Sequence, residues 1–158
     1  MKKVTLVLLF LSLAFFYSCQ KTAPAVDIEA EKAQIQSVLS NYVASIENED
    51  MDLYAKCVAH DADMVNFGSM GDPIMGWEAL QQVIQGQNAA LSETKISVAG
   101  VKIHVSEEGK LAWGTCLWDF GTRMGESPVS FPIRCTWILE KREGIWIIVH
   151  FHKSIAMK

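Results

Sequence analysis

Basic stretches are missing from this chain. Its 14 lysines and arginines against 18 aspartates and glutamates give a formal charge of −4, and the cations neither cluster nor interleave with aromatics. Binding a phosphate backbone needs such a patch, so nucleic acid is excluded as a partner. Past the amino terminus no apolar run reaches the ~20 residues of a membrane-spanning helix. A phosphate loop, a nucleophile motif and a metal-ligand cluster are absent too, so the sequence implies no cofactor and no metal. Internal repeats and low-complexity tracts do not occur. What is present is one domain's length of chain: 158 residues, 50% hydrophobic, with five Trp and seven Phe to fill a core. That composition rules out a disordered chain.

Lys2 and Lys3 precede an apolar stretch over residues 4–16, broken only by Thr5 and Ser12. Its length suits a signal segment and falls short of a membrane span. Phe16-Tyr17-Ser18-Cys19 follows at once and resembles a lipobox, in which a small residue precedes the cysteine that takes the lipid. Phe16 and Tyr17 are bulkier than the usual residues there. Residues 1–19 then form a lipoprotein signal segment ending at a lipidated Cys19, and residues 20–26, polar with one proline, form a tether. Gln20, rather than Asp, follows the cysteine, so no inner-membrane retention signal is present. The expected location is the cell envelope, on the periplasm-facing side of the outer membrane. Export permits disulfides, but Cys57, Cys116 and Cys135 are three and sit among apolar residues, which favours buried thiols.

From residue 27 to 48, Ile28, Ile35, Val38, Leu39, Tyr42, Val43 and Ile46 recur at steps of three and four. This predicts an amphipathic helix. Asp50 or Asp52 can cap a short second helix through Leu53, Tyr54 and Val58. Residues 63–67 are β-prone, 68–76 read as a loop, and 77–90 as a third helix. After Ser92 the period changes to two, and residues 95–105, 110–122, 129–142 and 145–156 read as long strands separated by glycine turns. Helices first and a strand meander afterwards means α+β, with three helices on one face of a curved antiparallel sheet over residues 27–158.

That order, closed by Gly144-Ile145-Trp146-Ile147-Ile148-Val149-His150-Phe151-His152-Lys153-Ser154, resembles the SnoaL-like branch of the nuclear transport factor 2-like superfamily. The closing G-x-W-x-x-V-H-F-H-x-S is similar to the end of the calcium/calmodulin-dependent protein kinase II association domain. Gly76-Trp77-Glu78-Ala79-Leu80 also resembles the family's entry into its third helix. The resemblance implies a cone-shaped fold around a pocket, and a membership of isomerases, cyclases, dehydratases and oligomer-forming binding modules. It therefore leaves function open. It also places Trp137 and Lys153 where two arginines of the association domain's anion site would lie, a departure that weakens anion binding.

A three-residue loop, Arg142-Glu143-Gly144, would pair Lys141 with Ile145, Thr136 with His150 and Arg134 with His152. This puts Trp146, Ile148, His150 and His152 on an outer face and Trp137, Val149 and Phe151 inside. A two-residue loop would instead put the histidines on the Trp137 side. Large residues on both faces point to a homodimer, with Arg134, Thr136, His150 and His152 as structural or interface residues rather than metal ligands. Asp119, between Trp118 and Phe120, is the candidate general base, the alternative being an edge or outward-facing carboxylate. Trp77, Trp118 and Trp137, with Trp113, could line an apolar pocket for a small organic ligand, and Lys153 could join them. Three functions follow: a membrane-tethered binding domain, an isomerase, dehydratase or cyclase using Asp119 or a histidine, or an oligomerisation module.

Cys19→Ala is expected to move the protein from the membrane fraction to the soluble periplasm, or to block maturation. Fractionation with mass spectrometry checks it, and a wild type recovered soluble and without lipid refutes the lipobox reading.

Overall fold

The computed structural model describes residues 25–155, so the signal segment and Cys19 lie outside the described residues. Helix α1 (Ile28–Glu47) starts where the Asp27 side chain accepts a hydrogen bond from the Ala30 N–H at 3.1 Å, and it buries Ile35, Leu39, Tyr42 and Ile46. Asp50, not Asp52, caps α2 (Met51–Cys57), accepting from the Leu53 N–H at 2.9 Å. Two short strands follow, β1 (Val65–Asn66) and β2 (Ile74–Met75), paired antiparallel. The second lies in the stretch read from sequence as loop. Helix α3 (Gly76–Ala90) buries Leu80 and Ile84 and leaves Val83 46% exposed.

Four long strands complete the domain: β3 (Leu91–Val105), β4 (Leu111–Met124), β5 (Ser127–Arg142) and β6 (Ile145–Ile155). They pair antiparallel in the order β3-β4-β5-β6. The α+β architecture expected from sequence is therefore what forms. Register shifts near Glu93 and Gly100 interrupt the β3–β4 ladder, and such bulges bend and twist a sheet. Helix α1 lies so close over the sheet that a Cβ on Gly114 would meet the Leu39 side chain at 3.4 Å.

Strand β4 alternates strictly. Ala112, Gly114, Cys116, Trp118 and Phe120 are buried, while Leu111, Trp113, Thr115, Leu117 and Asp119 are exposed. The first set faces the helices and the second makes the outer face.

The last hairpin differs from the register favoured on sequence. Its loop has two residues, Glu143 (φ 51°) and Gly144 (φ 85°), and Arg142 pairs with Ile145. Two successive left-handed residues match the twist of the flanking strands, which is why short hairpins adopt them. Trp146 and Ile148, expected outside, are buried opposite Lys141 and Leu139. The ladder then shifts at Val149, and pairing resumes with Ile138 opposite His150, Trp137 opposite Phe151 and Thr136 opposite His152. That bulge reverses the phase a second time. Phe151 and Lys153 therefore point inward, and His150 and His152 stay on the outer face. Arg134 lies opposite Ser154 instead of His152.

The far edge of β6 is covered by the chain around β1. The Ala59 N–H donates to the Ile148 carbonyl at 2.8 Å, the Phe67 N–H to the Phe151 carbonyl at 2.9 Å, and the Lys153 N–H to the Phe67 carbonyl at 2.9 Å. The Asn66 side chain accepts from the Phe151 N–H at 2.8 Å. At the other end of the hairpin, Glu31 on α1 accepts from Lys141 Nζ and from Trp146 Nε1, each at 2.7 Å. These bonds, first those from Lys141 and then that from Trp146, hold the Glu31 carboxyl below its ordinary value.

His150 is half-buried and its Nδ1–H donates to the Val65 carbonyl at 2.6 Å, not to Thr136. His152 is exposed, and both rings meet Phe67 edge-on. His150→Ala is expected to cost about 1–3 kcal/mol, the price of an orphaned buried acceptor, and His152→Ala less. Thermal melting of both variants with and without chelator checks this. Equal melting for His150→Ala and wild type refutes the tie to β1, and a chelator effect would revive a metal at the pair.

Candidate functional site

Between the sheet, α3 and the loop after β1 lies a cavity of about 340 Å³. Trp118, Phe120, Phe131 and Ile133 from the inner face of the sheet wall it, with Val83 from α3 and Met70 from the loop. Lys153, on β6, lines it as well. A second, smaller cleft of about 180 Å³ lies under α1 against Val98, Val101, Cys116 and Trp137, and Trp118 borders both. We take the larger as the candidate site, because it alone of these two carries a charged side chain.

Lys153 is the unusual group. Its Nζ lies 4.8 Å from the ring centres of Trp118 and Phe151 and 5.0 Å from that of Tyr42. It donates one hydrogen bond, to the Tyr42 hydroxyl at 3.0 Å. Among the described residues no carboxylate pairs with it. Aromatic faces attract a cation, but they replace water incompletely. Burial accordingly pulls the Lys153 amine down to about 8, although the facing thiols of Cys135 and Cys116 act the other way. Burial pushes the Tyr42 phenol well up, so it stays neutral. Tyr54 stands behind it, the two hydroxyls 3.5 Å apart.

The strand register explains this row. Cys116 on β4 faces Cys135 on β5, and Cys135 faces Lys153 on β6, all directed inward. Both thiols are free and buried, as is Cys57. Contact with Cys116 and burial together push the Cys135 thiol up.

The buried indole N–H groups of Trp118 and Trp137 have no acceptor among the described residues. Lys153 has three N–H donors and one assigned partner. Thr122, also on the wall, is already bonded to Thr94 and to the Ser92 carbonyl. Lys153 therefore keeps spare donors at the site, beside Ser69 and Gln87, which can donate or accept.

The other residues singled out from sequence lie elsewhere. Asp119 is on the outer face, exposed and accepting from the Ser130 hydroxyl at 2.6 Å, so it cannot act as a base inside the cone. Alternation within β4 aims its aromatic neighbours inward and the carboxylate outward. Trp77 stacks on His60 with ring centres 4.0 Å apart and does not border either cavity. Trp113, 44% exposed, stacks on His104 on the outer face. Trp118 and Lys153 border the larger cavity, and Trp137 borders only the smaller. Sequence reading missed Tyr42 as the lysine's partner, since it looked like one more apolar-face residue of α1.

The SnoaL-like domain family matches residues 35–158. No curated protein matches the sequence. Among solved structures, the chain is similar to a nuclear transport factor 2-like superfamily protein from Salmonella enterica serovar Typhimurium, at 22% identity and a TM-score of 0.74, covering 82% of this chain and 94% of that one. It is also similar to a nuclear transport factor 2-like family protein from Streptomyces avermitilis, provisionally described as a dehydratase, at 12% identity and a TM-score of 0.74, with 82% and 99% covered. A third, from Thiobacillus denitrificans, is provisionally described as a calcium/calmodulin-dependent protein kinase type II association domain. It is 15% identical with a TM-score of 0.64, over 77% of this chain and 94% of that one. At these identities the likeness concerns the fold.

A lysine lowered from 10.5 to about 8 releases its proton from the folded chain before the unfolded one does. Folding stability attributable to it is therefore lowest below pH 8 and is regained as pH rises toward 10.5. Lys153→Met is expected to stabilise the protein by about 2–4 kcal/mol at pH 7 and to remove that rise. Melting curves from pH 7 to 10 check it. A variant less stable than wild type across the range refutes the view that the amine is held at a cost.

Proposed function

This chain belongs to the SnoaL-like domain family, and from that premise we propose an exported, membrane-tethered binding domain that acts as a homodimer. Its cone cavity takes a small, mainly apolar organic molecule with an oxygen-bearing head directed at Lys153. The observation that carries this reading is a mainly apolar enclosure lined by a lysine that has no carboxylate partner among the described residues and one assigned hydrogen bond. Buried donors in native folds are almost always matched. A carbonyl or carboxylate oxygen supplies what these lack, and a cavity of about 340 Å³ is within the range of small-molecule sites.

Tethering rests on the leader and Cys19. Dimerisation rests on the outer face of the sheet, which keeps Arg134, Thr136, His150 and His152 but not the apolar Trp146 and Ile148 expected there. Trp146 and Ile148 are in the core, whereas Leu117 is 56% exposed, Trp113 44% and Ile138 36%. Trp113 and Ile138 are directly paired across β4 and β5. Apolar side chains grouped on one sheet face favour a self-complementary contact. Arg134 and Thr136 belong to the same face. An enzyme of the isomerase or dehydratase type would have to draw its acid or base from Lys153 and Tyr42, since Asp119 and both histidines lie outside the cavity.

Titration with 4-nitrobenzyl alcohol, which combines an aromatic body with oxygen acceptors, is expected to quench tryptophan emission saturably through Trp118. Val83→Trp, which fills the cavity from α3, should abolish the quenching. Unsaturable quenching that is equal in both proteins sinks the cavity reading. Separately, light scattering of the wild type should give a dimer mass and Leu117→Glu a monomer; a wild-type monomer at high micromolar concentration removes the dimer.

A further inference from the structure

Lys153 is placed to do more than bond to a ligand's oxygen. We propose that it captures the carbonyl carbon of an aldehyde or ketone ligand covalently, as an imine at the enclosed end of the cavity. The proposal rests on the binding reading above and deepens it by naming the ligand's head group. Three geometric observations carry it. Lys153 lines a cavity large enough for a small organic molecule. Among the described residues it has no carboxylate partner that would fix it as ammonium. A phenol stands within hydrogen-bond reach, at 3.0 Å.

The groups facing the amine come from every element packed around it. They are Tyr42 on α1, Cys116 and Trp118 on β4, Cys135 on β5 and Phe151 on β6. None carries a formal charge in its ordinary protonated state, so nothing here stabilises the ammonium as an ion pair would. An amine pulled down to about 8 by burial is neutral far more often near pH 7.5 than a lysine of ordinary pKa. Desolvation in an apolar pocket is one of the established ways to make a lysine nucleophilic.

The step balances without an oxidant or reductant. The neutral nitrogen's lone pair attacks the carbonyl carbon, and the C=O π pair moves to oxygen. A proton passes from nitrogen to that oxygen, giving a carbinolamine. The C–O bond then breaks as the oxygen takes a proton passed on from the Tyr42 hydroxyl, and one water leaves. The nitrogen lone pair closes the C=N bond as an iminium, and the remaining N–H proton returns to the Tyr42 oxygen to leave the imine. The Tyr42 hydroxyl, kept neutral by burial, is the nearest proton carrier to the nitrogen. The apolar walls favour the imine by limiting the water that would hydrolyse it.

The test treats the full chain with benzaldehyde and sodium cyanoborohydride at pH 7.5, followed by intact mass and peptide mapping. Binding of 4-nitrobenzyl alcohol, which cannot form an imine, is measured in parallel by quenching. The expected result is one benzyl group, on Lys153, added at least tenfold faster than at any other lysine and slowed by the alcohol. Lys153→Arg, which keeps the charge without the nucleophile, and Lys153→Met should both lose the fast adduct, while the wild type binds the alcohol saturably. Benzyl groups spread evenly over exposed lysines, with the alcohol still binding saturably, overturn the imine and leave the binding reading intact. Absence of saturable alcohol binding together with evenly spread adducts overturns both.

Discussion

Everything at the candidate site depends on the change of phase at Val149. A strand with period two cannot direct both Trp146 and Phe151 inward unless one residue between them is left out of the ladder. In β6 that residue is Val149. Before it, Trp146 and Ile148 face the helices; after it, Phe151 and Lys153 do. Were the ladder regular from the two-residue turn onward, His150 and His152 would enter the cone and Lys153 would leave it. The cavity would exchange one desolvated amine for two imidazoles. The bulge is secured from its open edge. Bonds from Ala59 to Ile148 and between Phe67 and both Phe151 and Lys153 bracket it, while the Asn66 side chain accepts the Phe151 N–H.

The same change of phase separates the parts of the fold that were legible in the sequence from those that were not. Helical periodicity in α1 and α3 and alternation in β3 to β6 depend on neighbours a few residues apart, so their signals are local. The phase of β6 is not local. Trp146-Ile147-Ile148-Val149 is apolar throughout, and a run of that kind hides the residue at which alternation breaks. What selects Val149 is the edge chain at residues 58–67, some eighty residues earlier. Reading a three-residue loop produced the correct outward side for His150 and His152 by compensation: one error at the turn and one at the bulge cancel beyond residue 149. Between the two they do not cancel, which is why Trp146 and Ile148 were misplaced.

Site residues divided along the same line. Asp119 could have been placed from sequence, because alternation with Trp118 and Phe120 already assigns it to the opposite face. Its aromatic neighbours in the chain are not its neighbours in space. Trp77 sits on a helix whose buried stripe is Leu80 and Ile84, and it turns to His60 instead of the cavity. Lys153 stood out in sequence only through the family resemblance, as a poorer substitute for an arginine. Its actual character comes from Tyr42, Trp118 and Phe151, three residues on three elements that only the folded chain brings around one nitrogen.

That enclosure also bears on selectivity. An arginine at this position would stay charged at any physiological pH and would suit a carboxylate through two parallel bonds. A lysine titrating at about 8 divides between two species, and they favour different ligands. The ammonium favours an anion and the neutral amine favours an electrophilic carbon. The walls weigh on this division, since an anion must shed its water to enter an apolar cavity while an uncharged carbonyl compound loses far less. Full neutralisation of a carboxylate would also demand a second cation, and among the described residues Lys153 is the one charged side chain that lines the cavity. The Tyr42 hydroxyl already accepts from Lys153, which leaves its proton for Tyr54. The same burial that disfavours the ammonium thus disfavours the ligand an arginine site would have chosen.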